Sequence, residues 1–257
     1  MRDIKVEPIR AVERTINILN CFSFEKTSLS TDEIIKETGL PKTTIFRLLW
    51  TLEKNGLIQY DLKEHSYRLG YKILEYGGIA LEDVDIRQEA EPFLSELHKR
   101  TDYTILLGTK QDDTIQYLLR YDKGDFTSAS YIGRRRILHY GALGILLMAY
   151  LPVEEAERIL QNYPLDQLTP FTVIDEDKFV RRLEIIRNQG FYVDIDETFV
   201  GFTAISVPIF GTKGQVIAAV GISGASFKME EEGIERITDL ARNTCLNISR
   251  RMGYIHG

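Results

Sequence analysis

The chain has 257 residues, 44% hydrophobic and 27% charged, with a net charge of −6, the balance of a globular protein with room for two modest domains. It holds no run of eighteen apolar residues, which excludes an ordinary membrane-spanning helix, and its first residues, Met1 to Pro8, are too polar for a secretion signal. Cys21 and Cys245 stand far apart, which excludes a disulfide framework and a closely spaced cysteine pair for metal or redox chemistry, so a cytoplasmic location is expected. The charge is uneven: residues 1–70 hold 11 Lys and Arg against 10 Asp and Glu, and the remainder 21 against 28. A slightly basic head on an acidic body suits a nucleic-acid-reading module joined to something else.

A helix is expected from Pro8 through Phe22, with Ile9, Val12, Ile16 and Leu19 facing inward. Ser30-Thr-Asp-Glu33 has the form of a capping box, and it starts a short helix with Ile34 and Ile35 inward, stopped at Thr38-Gly39. Pro41 suits the first turn of the next helix. There Ile45, Leu48, Leu49 and Leu52 make one apolar face, while Lys42, Thr43, Thr44, Arg47 and Lys54 make a cationic, hydrogen-bonding face. Phe46 fits either a thymine methyl or the core beside Trp50, and the core is the expectation. Two short helices about a tight glycine turn form a helix-turn-helix.

After Asn55-Gly56 the period falls to two. Leu57–Tyr60 and Ser66–Leu69 read as strands joined by the turn Asp61–His65, a hairpin wing directly behind the second helix. Lys42, Thr43, Thr44 and Arg47 are the expected base contacts, because the start of such a helix meets base edges. Lys63, His65 and Arg68 are the expected phosphate contacts of the wing.

Tyr71–Leu81 reads as a helix interrupted at Gly77-Gly78, a bendable connector. A helix over 86–101 follows, with Ala90, Phe93, Leu94 and Leu97 inward, then strands over 103–108 and 114–120 and another around Ser128–Ile132. The segment from Gly133 leads into an apolar helix that ends at Leu151-Pro152, and helices are expected over 153–160 and 175–189. Strands at 191–195, 203–210 and 215–223 precede a final amphipathic helix over 230–252. Hairpin strands with helices packed around them make an antiparallel α+β domain, a common build for a small-molecule sensor.

Four ordered stretches are similar to the IclR family of bacterial transcription regulators, and the likeness spans nearly the whole chain. Gly39-Leu-Pro-Lys-Thr-Thr-Ile-Phe-Arg-Leu-Leu-Trp-Thr-Leu52 resembles the family's recognition helix, and Gly133-Arg-Arg-Arg-Ile-Leu-His-Tyr-Gly-Ala-Leu-Gly144 its effector segment. Gly190–Glu197 with Gly201 and Ala204–Phe210 resembles its C-terminal signature, and Val220–Gly224 the strand that completes the pocket. The resemblance implies a winged helix-turn-helix DNA-binding domain over 1–70, a linker helix over 71–84 and a GAF-like effector-binding domain over 85–257. It further implies homodimers that can pair into tetramers, a double-stranded and roughly palindromic operator, and a small organic acid as effector. Carried over position by position, the effector pocket falls on Ala142, Leu143, Asp194, Glu197, Phe202, Ala204, Gly221 and Ser223. A helix starting near Tyr140 would add free N–H groups, a natural carboxylate site.

Three positions depart from the family pattern: Arg136 for a frequent leucine, Ala204 for a frequent cysteine, and Ile145 for a frequent lysine. Arg136 in the pocket would favour a ligand with more than one anionic group or an acid sugar, since its fork pairs bidentately with carboxylates; otherwise it is solvated or pairs with Asp194 or Glu197. The expected function is a ligand-switched transcription regulator, a repressor, with no cofactor, metal or catalytic residue. The alternatives are a small-molecule enzyme or a DNA-binding protein with a vestigial pocket. Against an enzyme, His65, His98, His139 and His256 are dispersed, Asp194-Ile-Asp-Glu197 has no accompanying His or Cys set, and neither a P-loop nor a nucleophile elbow occurs.

Overall fold

A computed structural model describes residues 7–23, 25–82, 85–122 and 134–255. The chain divides into two compact units, residues 1–83 and 84–257.

The first unit runs α1 (Arg10–Asn20), β1 (Ser28–Leu29), α2 (Thr31–Thr38), α3 (Lys42–Lys54), β2 (Ile58–Asp61), β3 (Ser66–Leu69) and α4 (Tyr71–Glu82). Ser30 and Glu33 form the capping box at the start of α2, each satisfying the other's free backbone N–H. Gly39 closes α2 in the left-handed conformation, φ 65°, which a residue with a Cβ adopts only at a cost. Pro41 caps α3 from just outside it. Ile18, Leu29, Ile34, Ile45, Leu49, Leu52 and Ile58 form the core. The antiparallel sheet has the order β1-β3-β2. Strand β1 is too short to carry a period-two signal; it pairs Ser28 with Arg68 and Leu29 with Tyr67.

Three readings of this unit are corrected. Most of the α1 stripe does not face the core: Ile9, Val12 and Ile16 are 71%, 53% and 49% exposed, whereas Leu19 packs against the core and Ile18 is the buried residue. Periodicity shows which residues share a face, not which face the core takes. Phe46 and Trp50 also lie outside, because Ile45, Leu49 and Leu52 already fill the space beneath α3. Helix α4 runs unbroken through Gly77 and Gly78 and falls within the first unit.

The second unit runs α5 (Asp85–Thr101), β4 (Thr104–Gln111), β5 (Thr114–Tyr121), β6 (Arg135–Ile137), α6 (Gly141–Ala149), α7 (Val153–Asn162) and α8 (Glu176–Gln189). It continues with β7 (Tyr192–Ile195), β8 (Phe202–Phe210), β9 (Val216–Ala225), α9 (Ser226–Glu232) and α10 (Ile234–Arg251). Six antiparallel strands form one sheet in the order β6-β5-β4-β9-β8-β7. Helices α5 and α10 pack on one face, Leu94, Leu97, Ile237 and Ile248 against Ile105, Ile205 and Val220. Helices α6 and α8 pack on the other, Leu146, Phe179 and Leu183 joining Leu106, Ile115 and Tyr117. The architecture is α+β, a winged helix-turn-helix unit followed by a GAF-like unit.

Helix α6 is buried on all sides from Ala142 to Ala149, which is why its sequence is apolar without a polar face. Gly144 makes this seat possible: a Cβ there would strike the Leu138 carbonyl. The single terminal helix expected over 230–252 is instead α9 and α10, broken at Gly233 with φ 88°. The strand expected around Ser128–Ile132, Gly133 and His256 lie outside the described residues. Among the described residues no helix is long and apolar enough to cross a membrane.

Candidate functional site

The outer face of α3 presents Lys42, Thr43 and Arg47 to solvent, with Thr44 half-buried at its edge. Its only acid, Glu53, sits in the last turn. In the hairpin behind it, the Asp61 carboxylate accepts the N–H groups of Lys63 (2.9 Å) and Glu64 (3.2 Å), which tightens the turn and holds the Asp61 carboxyl below the usual carboxylate range. Lys63 and His65 stand exposed at this turn, His65 with φ 51° and its Nδ1 3.3 Å from the Tyr60 hydroxyl. Arg68 lies on the central strand, 3.6 Å from the Asp61 carboxylate, so part of its charge is met within the wing.

In the second unit, one rung of the sheet aligns Asp194, Ala204 and Ser223 across β7, β8 and β9. The next rung aligns Ser206, Gly221 and Leu106. Gly221 carries no Cβ because the Leu143 side chain at the start of α6 occupies that position. Between these rungs and α6 lies a cavity of about 80 Å³. It is lined by Arg136, Ala142, Leu143, Asp194, Phe202, Ala204, Gly221 and Ser223, all named from sequence. Among the lining residues that sequence reasoning missed are Tyr117, Thr198, Phe199 and Thr203. Tyr117 shares the Ile115 side of β5 by simple alternation, so period two could have found it. Thr198 and Phe199 come from a turn that has no period to read.

The polar groups of the cavity differ in how far they are already engaged. Buried Asp194 accepts the Glu197 N–H (2.9 Å), the Thr198 N–H (3.3 Å) and the Thr198 hydroxyl (2.5 Å). Burial raises its pKa, the nearby Glu197 charge adds to this, and the Thr198 hydroxyl bond opposes it. Arg136, on the edge strand beside Ile115, has no carboxylate partner among the described residues; its guanidinium lies 5.9 Å from the centre of the Tyr140 ring. The N-terminus of α6 has no side-chain cap, and Gly141, Ala142 and Leu143 of its first turn line the cavity.

Glu197 does not line this cavity. Its carboxylate accepts bonds from Arg182 of α8 and from the Tyr192 hydroxyl (2.7 Å), and it faces the neighbouring crevice with His139 and Arg182. Thr169 and Thr172 donate their hydroxyls to the carbonyls of Asp196 and Glu197, and Ser226 donates to the Asp196 carboxylate. The turn after β7 is therefore fastened from several sides, and Glu197 is one of its fasteners. Among the described residues, no three His, Cys, Asp or Glu side chains are grouped to hold a metal ion.

The profile described as the IclR helix-turn-helix domain matches residues 11–62, and that described as bacterial transcriptional regulator IclR C-terminal matches residues 78–250. The chain belongs to the IclR family. It is a DNA-binding transcription regulator, as its IclR relatives are. The HTH-type transcriptional regulator XynR of Escherichia coli is 32% identical over 248 residues, covering 96% of this chain and 98% of XynR. The crystal structure of the Thermotoga maritima IclR is 30% identical with a TM-score of 0.73, covering 95% of this chain and 98% of that one. An IclR homolog from Microbacterium hydrocarbonoxydans, solved in complex with 4-hydroxybenzoate, shares the fold at 22% identity with a TM-score of 0.82, covering 94% and 98%.

Proposed function

We propose that this IclR-family regulator is a repressor that binds a roughly palindromic operator as a homodimer and is switched by a small organic acid held in the α6 cavity. The observation that carries the reading is the meeting, at one cavity, of the Arg136 guanidinium, which has no carboxylate partner among the described residues, with the uncapped N-terminus of α6. Two positive features at one wall favour an anion, and the guanidinium fork suits a carboxylate. The Ser223 hydroxyl supplies a further donor, and Phe202, Leu143 and Ala204 supply apolar surface. A volume of about 80 Å³ corresponds to roughly five to eight water positions, which favours a compact acid. The related structure complexed with 4-hydroxybenzoate supports this class of ligand. In this reading Glu197 positions the Thr198 wall and does not touch the effector. Asp194, with three donors already bound, shapes the same turn and does not act as a catalytic acid.

At the DNA, Lys42, Thr43, Thr44 and Arg47 meet base edges while Lys63 and His65 at the wing turn meet phosphate, with Arg68 contributing less because Asp61 shares its charge. The outward stripe of Ile9, Val12 and Ile16, with exposed Leu74 and Ile79 on α4, supplies apolar surface for a second copy.

A thermal-shift screen of the full chain against small carboxylic and sugar acids tests the cavity. At least one acid raises the melting temperature, as mass action requires. Arg136→Leu weakens that acid about 10–100-fold, the worth of a charged hydrogen bond of roughly 1.5–3 kcal/mol. An acid that binds the variant as tightly as the parent contradicts the assigned site.

A further inference from the structure

Lys42, Phe46, Trp50 and Lys54 follow one another along α3 at four-residue spacing, and all four are exposed. Phe46 is 48% and Trp50 62% exposed. Each ring carries an ammonium over it, Lys42 at 5.8 Å from the Phe46 centroid and Lys54 at 5.1 Å from that of Trp50. Aromatic rings are large apolar surfaces, and a small domain gains by burying them. Two rings left on the face that also carries Thr43 and Arg47 therefore mark a surface that something else covers.

The charge around the rings selects the occupant. Lys42, Arg47 and Lys54 surround them, and the only acid of α3 stands in its last turn, which fits a polyanion. In the DNA major groove the apolar feature a side chain can meet is the thymine C5 methyl group. Phe46 lies between Thr43 and Arg47 on the first turns of α3, where base edges are within reach. Trp50 lies one turn further on, where a helix leaves the bases for the sugar–phosphate wall.

We propose that Phe46 is a specificity residue that recognises thymine by packing on its methyl group, and that Trp50 packs on the deoxyribose wall of the same groove. Lys54, held beside the Trp50 ring, is placed to reach a flanking phosphate, while Lys42, beside the Phe46 ring, keeps its place at the base edges. The inference rests on α3 being the helix that enters the groove.

Trp50 is the only tryptophan in the sequence, so its emission reports this surface and no other. The test selects operators from a random duplex library with the full chain, then replaces each thymine in turn by deoxyuridine, which lacks only the methyl. Duplexes are titrated into the parent, Phe46→Ala and Phe46→Leu at fixed salt. One thymine per half-site is expected to cost the parent about fourfold in affinity when its methyl is removed, from roughly 0.8 kcal/mol per buried carbon. Phe46→Ala abolishes that difference, Phe46→Leu keeps part of it, and Trp50 emission shifts to the blue as operator saturates. Equal thymine-to-uracil ratios for parent and Phe46→Ala at every position overturn the Phe46 assignment. Emission that saturating operator leaves unchanged, or that varies with protein concentration without DNA, overturns the Trp50 assignment. If no sequence is selected at all, the groove reading of α3 fails and not this inference alone.

Discussion

His139 is a side chain whose ionisation folding opposes. It is 5% exposed, against the Tyr140 ring, and its Nε2 has no hydrogen-bond partner among the described residues. Burial lowers its pKa below the ordinary 6.5, with the Asp166 carboxylate pulling the other way. A depressed folded pKa contributes stability that is fully present above the unfolded value, near 6.5, and is lost as pH falls below it. Asp194 runs in the opposite sense: its raised pKa makes the folded state hold its proton more firmly at acid pH. The His139 contribution is therefore isolated by comparing the parent with His139→Gln. Between pH 7.5 and 5.5 the parent is expected to lose more melting temperature than the variant, and identical losses would remove His139 from the acid response. Residue chemistry was unevenly legible in the sequence. Arg136 and Ser223 line the cavity, and they could be named in advance because they sit in a segment and a strand with recognisable neighbours. Glu197, expected with them, faces the neighbouring crevice instead, since Arg182, fifteen positions earlier on α8, holds its carboxylate, a pairing sequence cannot show.

At the scale of elements, strong local signals were read correctly: the capping box of α2, the apolar face of α3, the β2–β3 hairpin, and Gly190 at the end of α8 with φ 79°. The elements missed, β1, β6 and α9, are two, three and seven residues long, too short for a period to declare itself. Gly77 and Gly78 were read as a break, yet α4 continues through them, since two glycines weaken a helix without forbidding it. This leaves α4 less stable than its length allows. An added Cβ at exposed Gly77 meets nothing within 4 Å, so Gly77→Ala fits and is expected to stabilise the helix by about 0.8–1 kcal/mol. Hydrogen exchange across Tyr71–Glu82 measures this: slower exchange in the variant supports a weak, continuous helix. Unchanged or faster exchange would mean that the glycine backbone serves a conformation alanine cannot take.

For the whole molecule, the chain divides into two compact units with separate cores, the first nearly neutral with 12 Lys and Arg against 13 Asp and Glu over residues 1–83, the second more acidic with 20 against 25. One carries an exposed cationic helix face, the other a cavity lined in part by the Arg136 guanidinium. Regulation requires these two sites to share a coupling free energy, and such coupling is reciprocal. The decisive measurement closes the cycle. Operator affinity is measured with and without the acid found in the screen, and acid affinity with and without operator. The account predicts that both affinities change by the same factor, about 5–150-fold. An acid that occupies the cavity and leaves operator affinity unchanged would contradict it.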